Sequence, residues 1–105
     1  MPNESHLRKD SLGHALERCG DCVKFAMLSE EDLPTRVRKK FDRYMGHLQK
    51  DEFPAELWKR VEKLRRKVHL EPMTPDSPSK CLDEIWSIYE DVAEVYYSRF
   101  GKPNP

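Results

Sequence analysis

Residues 77–101 carry the longest amphipathic pattern in the chain, and any fold must bury its apolar side. Ser77 and Pro78 are typical of a helix start, because a serine N-cap often precedes a proline at the first helical position. Gly101 is typical of a helix end. The apolar residues between these points recur at steps of three and four: Cys81, Leu82, Ile85, Ile88, Tyr89, Val92, Val95, Tyr96 and Phe100. The pattern predicts a helix of about six turns, roughly 35 Å long, with the richest apolar face in the protein.

Three earlier segments show the same three- and four-residue spacing and predict three more helices. They cover residues 11–28, 32–49 and 53–69, and a proline-rich linker over 71–79 leads into the last helix. Four amphipathic helices with mostly short connections predict an all-α antiparallel four-helix bundle. Up-down-up-down connectivity is the simplest topology, although the long linker also permits a crossover.

A chain of 105 residues has enough material for one modest core. We expect a single helical domain over residues 11–101, with flexible ends at residues 1–10 and 102–105. No apolar run is long enough to cross a membrane and the N-terminus lacks a signal-peptide pattern, so the sequence predicts a cytoplasmic protein without membrane contact. Its three cysteines are an odd number, which fits reduced thiols in a reducing compartment.

Two glycines interrupt the first predicted helix. Gly13 and Gly20 lie seven residues apart on one flank of its apolar stripe. Each glycine costs up to about 1 kcal/mol of helix stability relative to alanine. We expect the compensation to be the close approach of a neighbouring helix at these two positions.

Cys19 and Cys22 form the one segment that resembles a reactive motif. In redox proteins such a pair sits at a helix N-terminus, where the helix dipole lowers the pKa of the first thiol. Here the pair lies in mid-helix with Cys19 on the core stripe, so packing as small apolar side chains is the preferred interpretation. A thiol redox site, or a zinc site completed by residues such as Cys81 and His14, is an alternative.

No cluster of histidines, carboxylates or glycines predicts catalysis. The four histidines are dispersed, and the acidic residues of the last helix share the side opposite Ile85 and Val92, as a solvated face would. These acidic residues are Asp83, Glu84, Glu90, Asp91 and Glu94. The sequence therefore predicts a protein that is not an enzyme, with no catalytic, cofactor-binding or metal-binding residues and no small-molecule substrate.

The net charge of zero hides a segregation of charge along the chain. Residues 35–70 hold twelve Lys/Arg against five Asp/Glu, whereas residues 1–34 and 71–105 both have a surplus of acidic residues. The second and third helices would then present a basic surface able to contact nucleic-acid phosphates by charge alone. Its candidate residues are Arg36, Lys39, Arg43, Lys59, Lys63, Arg66 and Lys67. Because the domain is neutral overall and no aromatic residues interleave with this surface, nucleic-acid binding is an alternative prediction rather than the leading one.

One edge of the last helix is the leading candidate for function. Its apolar arc spans roughly 200°, wider than the ~100° stripe that a surface helix needs. Trp86, Ala93 and Tyr97 form one edge of this arc. A helix with two neighbours would use such an edge for the core, whereas an exposed aromatic strip is typical of an association surface. We therefore expect a regulator, adaptor or chaperone-like protein that acts by protein–protein interaction, with a protein partner or a homodimer whose register the segregated charges help to fix.

Overall fold

The computed structural model describes residues 8–69 and 77–101. Four α-helices pack together within these ranges, which confirms the predicted all-α fold. They are α1 (Lys9–Leu28), α2 (Leu33–Lys40), α3 (Ala55–His69) and α4 (Ser77–Phe100). The predicted flexible ends and the proline-rich linker fall largely outside the described residues, at 1–7, 102–105 and 70–76.

Helix α4 is the element against which α1, α2 and α3 all pack. Its buried side chains join those of the other helices in one hydrophobic cluster, whose largest fully buried members include Phe41, Phe53, Leu12, Met45, Leu64 and Ile85. The apolar stripes of all four helices are thereby covered, as their spacing requires. Among the described helices, none is both long enough and apolar enough to cross a bilayer.

The ends of α2 and α4 show how local sequence signals set helix boundaries. Asp32 caps α2, and its carboxylate accepts a hydrogen bond from the backbone N–H of Thr35 at 3.1 Å. The hydrogen bonds from Thr35 hold the pKa of Asp32 below its ordinary value. Gly101 follows α4 with a φ of +85°, the left-handed conformation that favours glycine after a helix.

The second helix ends earlier than predicted. Its α-helical part stops at Lys40 and is followed by one turn of π-helix (Phe41–Met45). In this turn the backbone N–H of Gly46 donates to the carbonyl of Phe41 at 2.8 Å. The expected continuation to Gln49 is therefore wrong, and a short 3₁₀ turn (Lys50–Glu52) precedes α3 instead.

Arg18 of α1 explains this early end. Its guanidinium donates to the carbonyl of Arg43 at 2.8 Å and to the carbonyl of Tyr44 at 3.2 Å. A longer helix would need both carbonyls as acceptors for its next turn. Leu48 is nonetheless buried, and it reaches the core from the loop after the π-turn.

Helices α1 and α4 approach each other closely at the two glycines of α1. A Cβ atom at Gly13 would lie 3.3 Å from Tyr96 Cε2, and one at Gly20 would lie 3.0 Å from Tyr89 Cε1. The expectation that a neighbouring helix compensates for these glycines is confirmed. Because residue numbers rise along α1 as they fall along α4, these two helices run in opposite directions.

Candidate functional site

A groove open to solvent follows the line along which α1 meets α4. It consists of two adjoining depressions of about 420 and 410 Å³ that share Leu16 and Glu17. Both helices supply apolar lining, namely Leu16, Met27, Trp86, Tyr89, Tyr96, Tyr97 and Phe100. We call this the α1–α4 groove. It extends along α1 from Lys9 to Met27, which is about 27 Å of helix at 1.5 Å per residue.

Aromatic rings of α4 form one wall of the α1–α4 groove. The ring centre of Trp86 lies 5.4 Å from that of Tyr89. Further along the helix, the Tyr96 ring lies 5.5 Å from Tyr97 and 5.4 Å from Phe100. Ring pairs of this kind contribute roughly 0.5–1.5 kcal/mol each beyond the burial of apolar area. The wall is therefore held in place by its own contacts.

One end of the α1–α4 groove carries exposed apolar side chains. Trp86 is 49% exposed and Met27 is 69% exposed, and both line the same depression. Leu28, the next residue after Met27, is 67% exposed. Tryptophan and methionine are enriched at protein interfaces, and contiguous apolar exposure is uncommon on a monomer surface. This end of the groove has the chemistry of an association surface.

Only two of the three residues of the predicted edge of α4 line the α1–α4 groove. Trp86 and Tyr97 line opposite ends of the α1–α4 groove, whereas Ala93 is partly exposed on α4 but does not line the groove. Met27 also lines the groove but was not among the predicted site residues. An apolar residue in the last turn of an otherwise amphipathic helix was the available signal for this position.

Charged side chains of both signs form the α1 rim of the groove. Lys9 and Lys24 lie toward its two ends, and Glu17 and Asp21 lie between them. The rim of α1 therefore offers cationic ends and an anionic middle.

The predicted basic residues of the second helix and its π-turn are used within the protein. Arg36 donates to the carbonyl of Ser29 at 2.9 Å, and Lys39 Nζ lies 2.7 Å from Glu31 Oε2. The guanidinium of Arg43 lies 5.6 Å from the centre of a neighbouring tyrosine ring. Arg36 and Lys39 therefore contact the loop before α2, and Arg43 packs within the turn after it.

The predicted basic residues of α3 divide into two kinds. Lys59 lies 3.7 Å from Glu56 in an exposed pair one turn apart. Lys63, Arg66 and Lys67 form no ion pair with another described residue. Among the described residues, these three of the seven candidates have no side-chain ion pair, hydrogen bond or ring contact.

Arg60 links α3 to α4 and was not among the predicted basic-surface residues. Its guanidinium donates to Glu84 Oε1 at 2.9 Å, to Ser87 Oγ at 2.7 Å and to a carboxylate oxygen of Asp91. Burial alone would lower the pKa of Arg60, but hydrogen bonds and charges from Asp91 and Glu84 raise it above its ordinary value. The expectation of a wholly solvated acidic face on α4 is therefore wrong at these two carboxylates.

Cys19 and Cys22 are buried in the core and form no disulfide, and Cys81 is buried too. Burial raises the pKa of both thiols of the pair, that of Cys22 to about 12. Within residues 8–69 and 77–101, no group of three or more His, Cys, Asp or Glu side chains is arranged to hold a metal ion. His14 lies 2.5 Å from Glu52 instead. These features favour the packing interpretation, because a reactive or metal-binding cysteine needs its thiolate form.

Comparisons with models of known protein families, with curated protein sequences and with solved structures find no match for this chain.

Proposed function

We propose that this protein is a small non-enzymatic interaction module, acting as a regulator, adaptor or chaperone-like protein, that self-associates through the α1–α4 groove. The observation that supports this proposal is the row of aromatic side chains along the groove, with Trp86 49% exposed beside Met27. A groove of about 27 Å is long enough to receive a helix of several turns. A second copy of the chain supplies such a helix in its own α1.

The charges on the α1 rim favour a second copy over an unrelated partner. In a two-fold symmetric interface, each contact occurs twice: if residue i of the first copy contacts residue j of the second, then residue j of the first also contacts residue i of the second. When two α1 helices cross in opposite directions about an axis near Gly20, Lys24 of one copy lies beside Glu17 of the other. The same pair forms twice in the dimer, and these two attractive pairs flank the Asp21 side chains that lie near the axis. The rim is therefore complementary to itself.

Oligomeric state tests this proposal. Light scattering after size-exclusion chromatography should give the mass of a dimer for the native chain, and Trp86→Glu should give a monomer. Lys24→Glu should weaken the dimer, and the double variant Glu17→Lys with Lys24→Glu should restore it. Lys50→Glu makes the same charge change outside the groove and serves as the control. A native chain that stays monomeric at its highest soluble concentration would falsify the proposal.

For the connectivity we propose the antiparallel, up-down-up-down bundle. Two helix pairs support it: α1 with α4, through the order of the glycine contacts, and α3 with α4. In the second pair Arg60 meets residues 84–91 of α4, whereas Lys67 shares a cleft with Ser77 at the start of α4. Distances between spin labels placed at the ends of α2 and α3 test the remaining pairs. We also propose a cytoplasmic location, which the three unbridged cysteines support.

Binding of nucleic acid is a second candidate function. It is supported by the unmatched charges of Lys63, Arg66 and Lys67 on α3. A gel-shift series at low salt tests it, because contacts to phosphates weaken steeply as salt increases. Arg66→Gln should reduce the shift, and the absence of any shift at low ionic strength contradicts this candidate.

A further inference from the structure

A second cleft, of about 420 Å³, lies between α3 and α4. Its lining residues recur at helical spacing on both sides: Arg60, Lys63, Leu64 and Lys67 on α3, and Ser77, Lys80, Cys81 and Glu84 on α4. The volume falls within the range of small-molecule pockets, about 300–1,000 Å³. No residue of this cleft lines the α1–α4 groove.

Cationic side chains dominate this cleft. Arg60 is matched by carboxylates of α4, as described above, but Lys63, Lys67 and Lys80 form no ion pair with another described residue. Lys63 and Lys67 are one helical turn apart, a spacing at which like charges destabilise a helix. Lys80 adds a third ammonium group from the opposite wall. A bound anion would remove the repulsion among these three groups.

We propose that the α3–α4 cleft binds a phosphorylated small molecule, in which a phosphate monoester is attached to an organic body. Each lysine ammonium offers three donors to phosphate oxygens. A phosphate monoester carries close to two negative charges at neutral pH, since its second pKa is about 6. A single carboxylate would match only one of the three lysines. Leu64 and Cys81 also line the cleft, so the organic part would meet apolar as well as charged side chains.

Arg66 distinguishes a small molecule in the cleft from a nucleic-acid strand on α3. Arg66 is exposed on the same helix as Lys63 and Lys67 but does not line the cleft. A strand lying across α3 would contact Arg66, whereas a ligand held between α3 and α4 would not. Arg66→Gln should therefore leave binding of a small phosphorylated ligand unchanged.

Titration calorimetry at low salt tests the proposal, with inorganic phosphate, glycerol phosphate, adenosine monophosphate and adenosine as probes. We expect at least one of the two organic phosphates to bind more tightly than inorganic phosphate, and adenosine not to bind. The double variant Lys63→Gln with Lys80→Gln should weaken that binding by about tenfold or more, because two of the three charged donors to the phosphate are lost. Lys50→Gln with Lys59→Gln removes the same charge at exposed sites outside both the cleft and the α1–α4 groove, and should change the affinity by less than about twofold.

Three results overturn the proposal. The first is the absence of binding by both organic phosphates to the native chain, and the second is equal weakening in the cleft variant and the control. The third is that a single-stranded oligonucleotide binds and Arg66→Gln abolishes this binding, whereas adenosine monophosphate and glycerol phosphate do not bind. This result would assign the lysines to nucleic acid. Circular dichroism establishes that each variant is folded. If the double variant does not fold, the single variants Lys63→Gln and Lys80→Gln, each at an exposed position, take its place in the comparison.

Discussion

Gly20 of α1 leaves only enough room for the ring of Tyr89 on α4, because a Cβ atom at Gly20 would lie 3.0 Å from Tyr89 Cε1. Gly13 and Tyr96 repeat this relationship two helical turns away, at 3.3 Å. The spacing of seven residues on both helices keeps the two pairs in register. These contacts set how closely α1 and α4 approach, and so they set the shape of the groove between them.

Gly20→Ala should destabilise the protein by about 1 kcal/mol. The added methyl group gains up to about 1 kcal/mol of helix propensity. Overpacking against the Tyr89 ring costs about 1–3 kcal/mol, which is the larger effect. The free energy of unfolding, from urea denaturation, measures the difference.

The effect of Gly20→Ala on stability should change sign when the Tyr89 ring is removed. In a Tyr89→Ala background, Gly20→Ala should stabilise the protein by up to about 1 kcal/mol, because only the gain in helix propensity remains. Gly13→Ala should be less harmful than Gly20→Ala, since its Cβ would meet Tyr96 at 3.3 Å rather than 3.0 Å. Equal effects of Gly20→Ala in both backgrounds contradict the close contact between Gly20 and Tyr89.

Arg60→Lys should lower the free energy of unfolding by about 1–2 kcal/mol. Lysine keeps the positive charge, but its single ammonium group cannot reproduce the planar fork that serves Glu84, Ser87 and Asp91 together. Urea denaturation measures the loss. Arg66→Lys makes the same change at an exposed site on α3 and should alter stability by less than about 0.5 kcal/mol. Indistinguishable midpoints for the two variants contradict the role of Arg60 in joining α3 to α4.

Arg18→Ala should destabilise the protein by about 1–2 kcal/mol, because the carbonyls of Arg43 and Tyr44 lose their donor. The amide of Leu48, next to this junction, should lose protection from hydrogen exchange. Arg43→Ala is the control, since Arg43 also packs on the Tyr44 ring but has an exposed side chain. Unchanged exchange at Leu48 in Arg18→Ala would mean that another contact ends the second helix.

The end of the second helix could not be predicted from the spacing of apolar residues. Spacing of apolar residues predicted all four helices, because burial of one face dictates that spacing. Apolar residues continue at this spacing past Met45 to Leu48, so the pattern predicted a longer helix although Gly46 lies within it. The helix ends because Arg18, far away in the sequence, takes two of its carbonyls. Such a contact depends on how α1 packs against the second helix, and the spacing of apolar residues carries no information about that packing.

The candidate groove was predictable in a similar, partial way. The width of the apolar arc on α4 singled out Trp86, which is indeed half exposed. Its neighbour Met27 lies on another helix, and its position follows from the pairing of α1 with α4 at Gly20. Whether a basic residue of the α3–α4 cleft is unmatched likewise depends on which basic residues of α3 form ion pairs with carboxylates of α4. Arg60 does so, and Lys63 does not.

The buried thiols make stability depend on alkaline pH. In the unfolded chain a cysteine loses its proton near pH 8.5, whereas in the folded protein burial raises the pKa of Cys22 to about 12. A group whose folded pKa is raised stabilises the protein fully below its unfolded pKa, and this contribution is lost as pH rises toward the folded value. The free energy of unfolding should therefore fall between about pH 8.5 and about pH 10.

Cys22→Ala separates this effect from the ordinary cost of a smaller core side chain. The lost packing lowers stability equally at all pH values, whereas removal of the thiol makes the fall above about pH 8.5 less steep and leaves the contribution of Cys19. Urea midpoints from about pH 7 to about pH 10 measure both quantities. Because thiolate is the reactive species, the native thiols should also react with iodoacetamide far more slowly than those of the urea-unfolded chain. A parallel pH profile for Cys22→Ala and the native chain contradicts a raised pKa at Cys22.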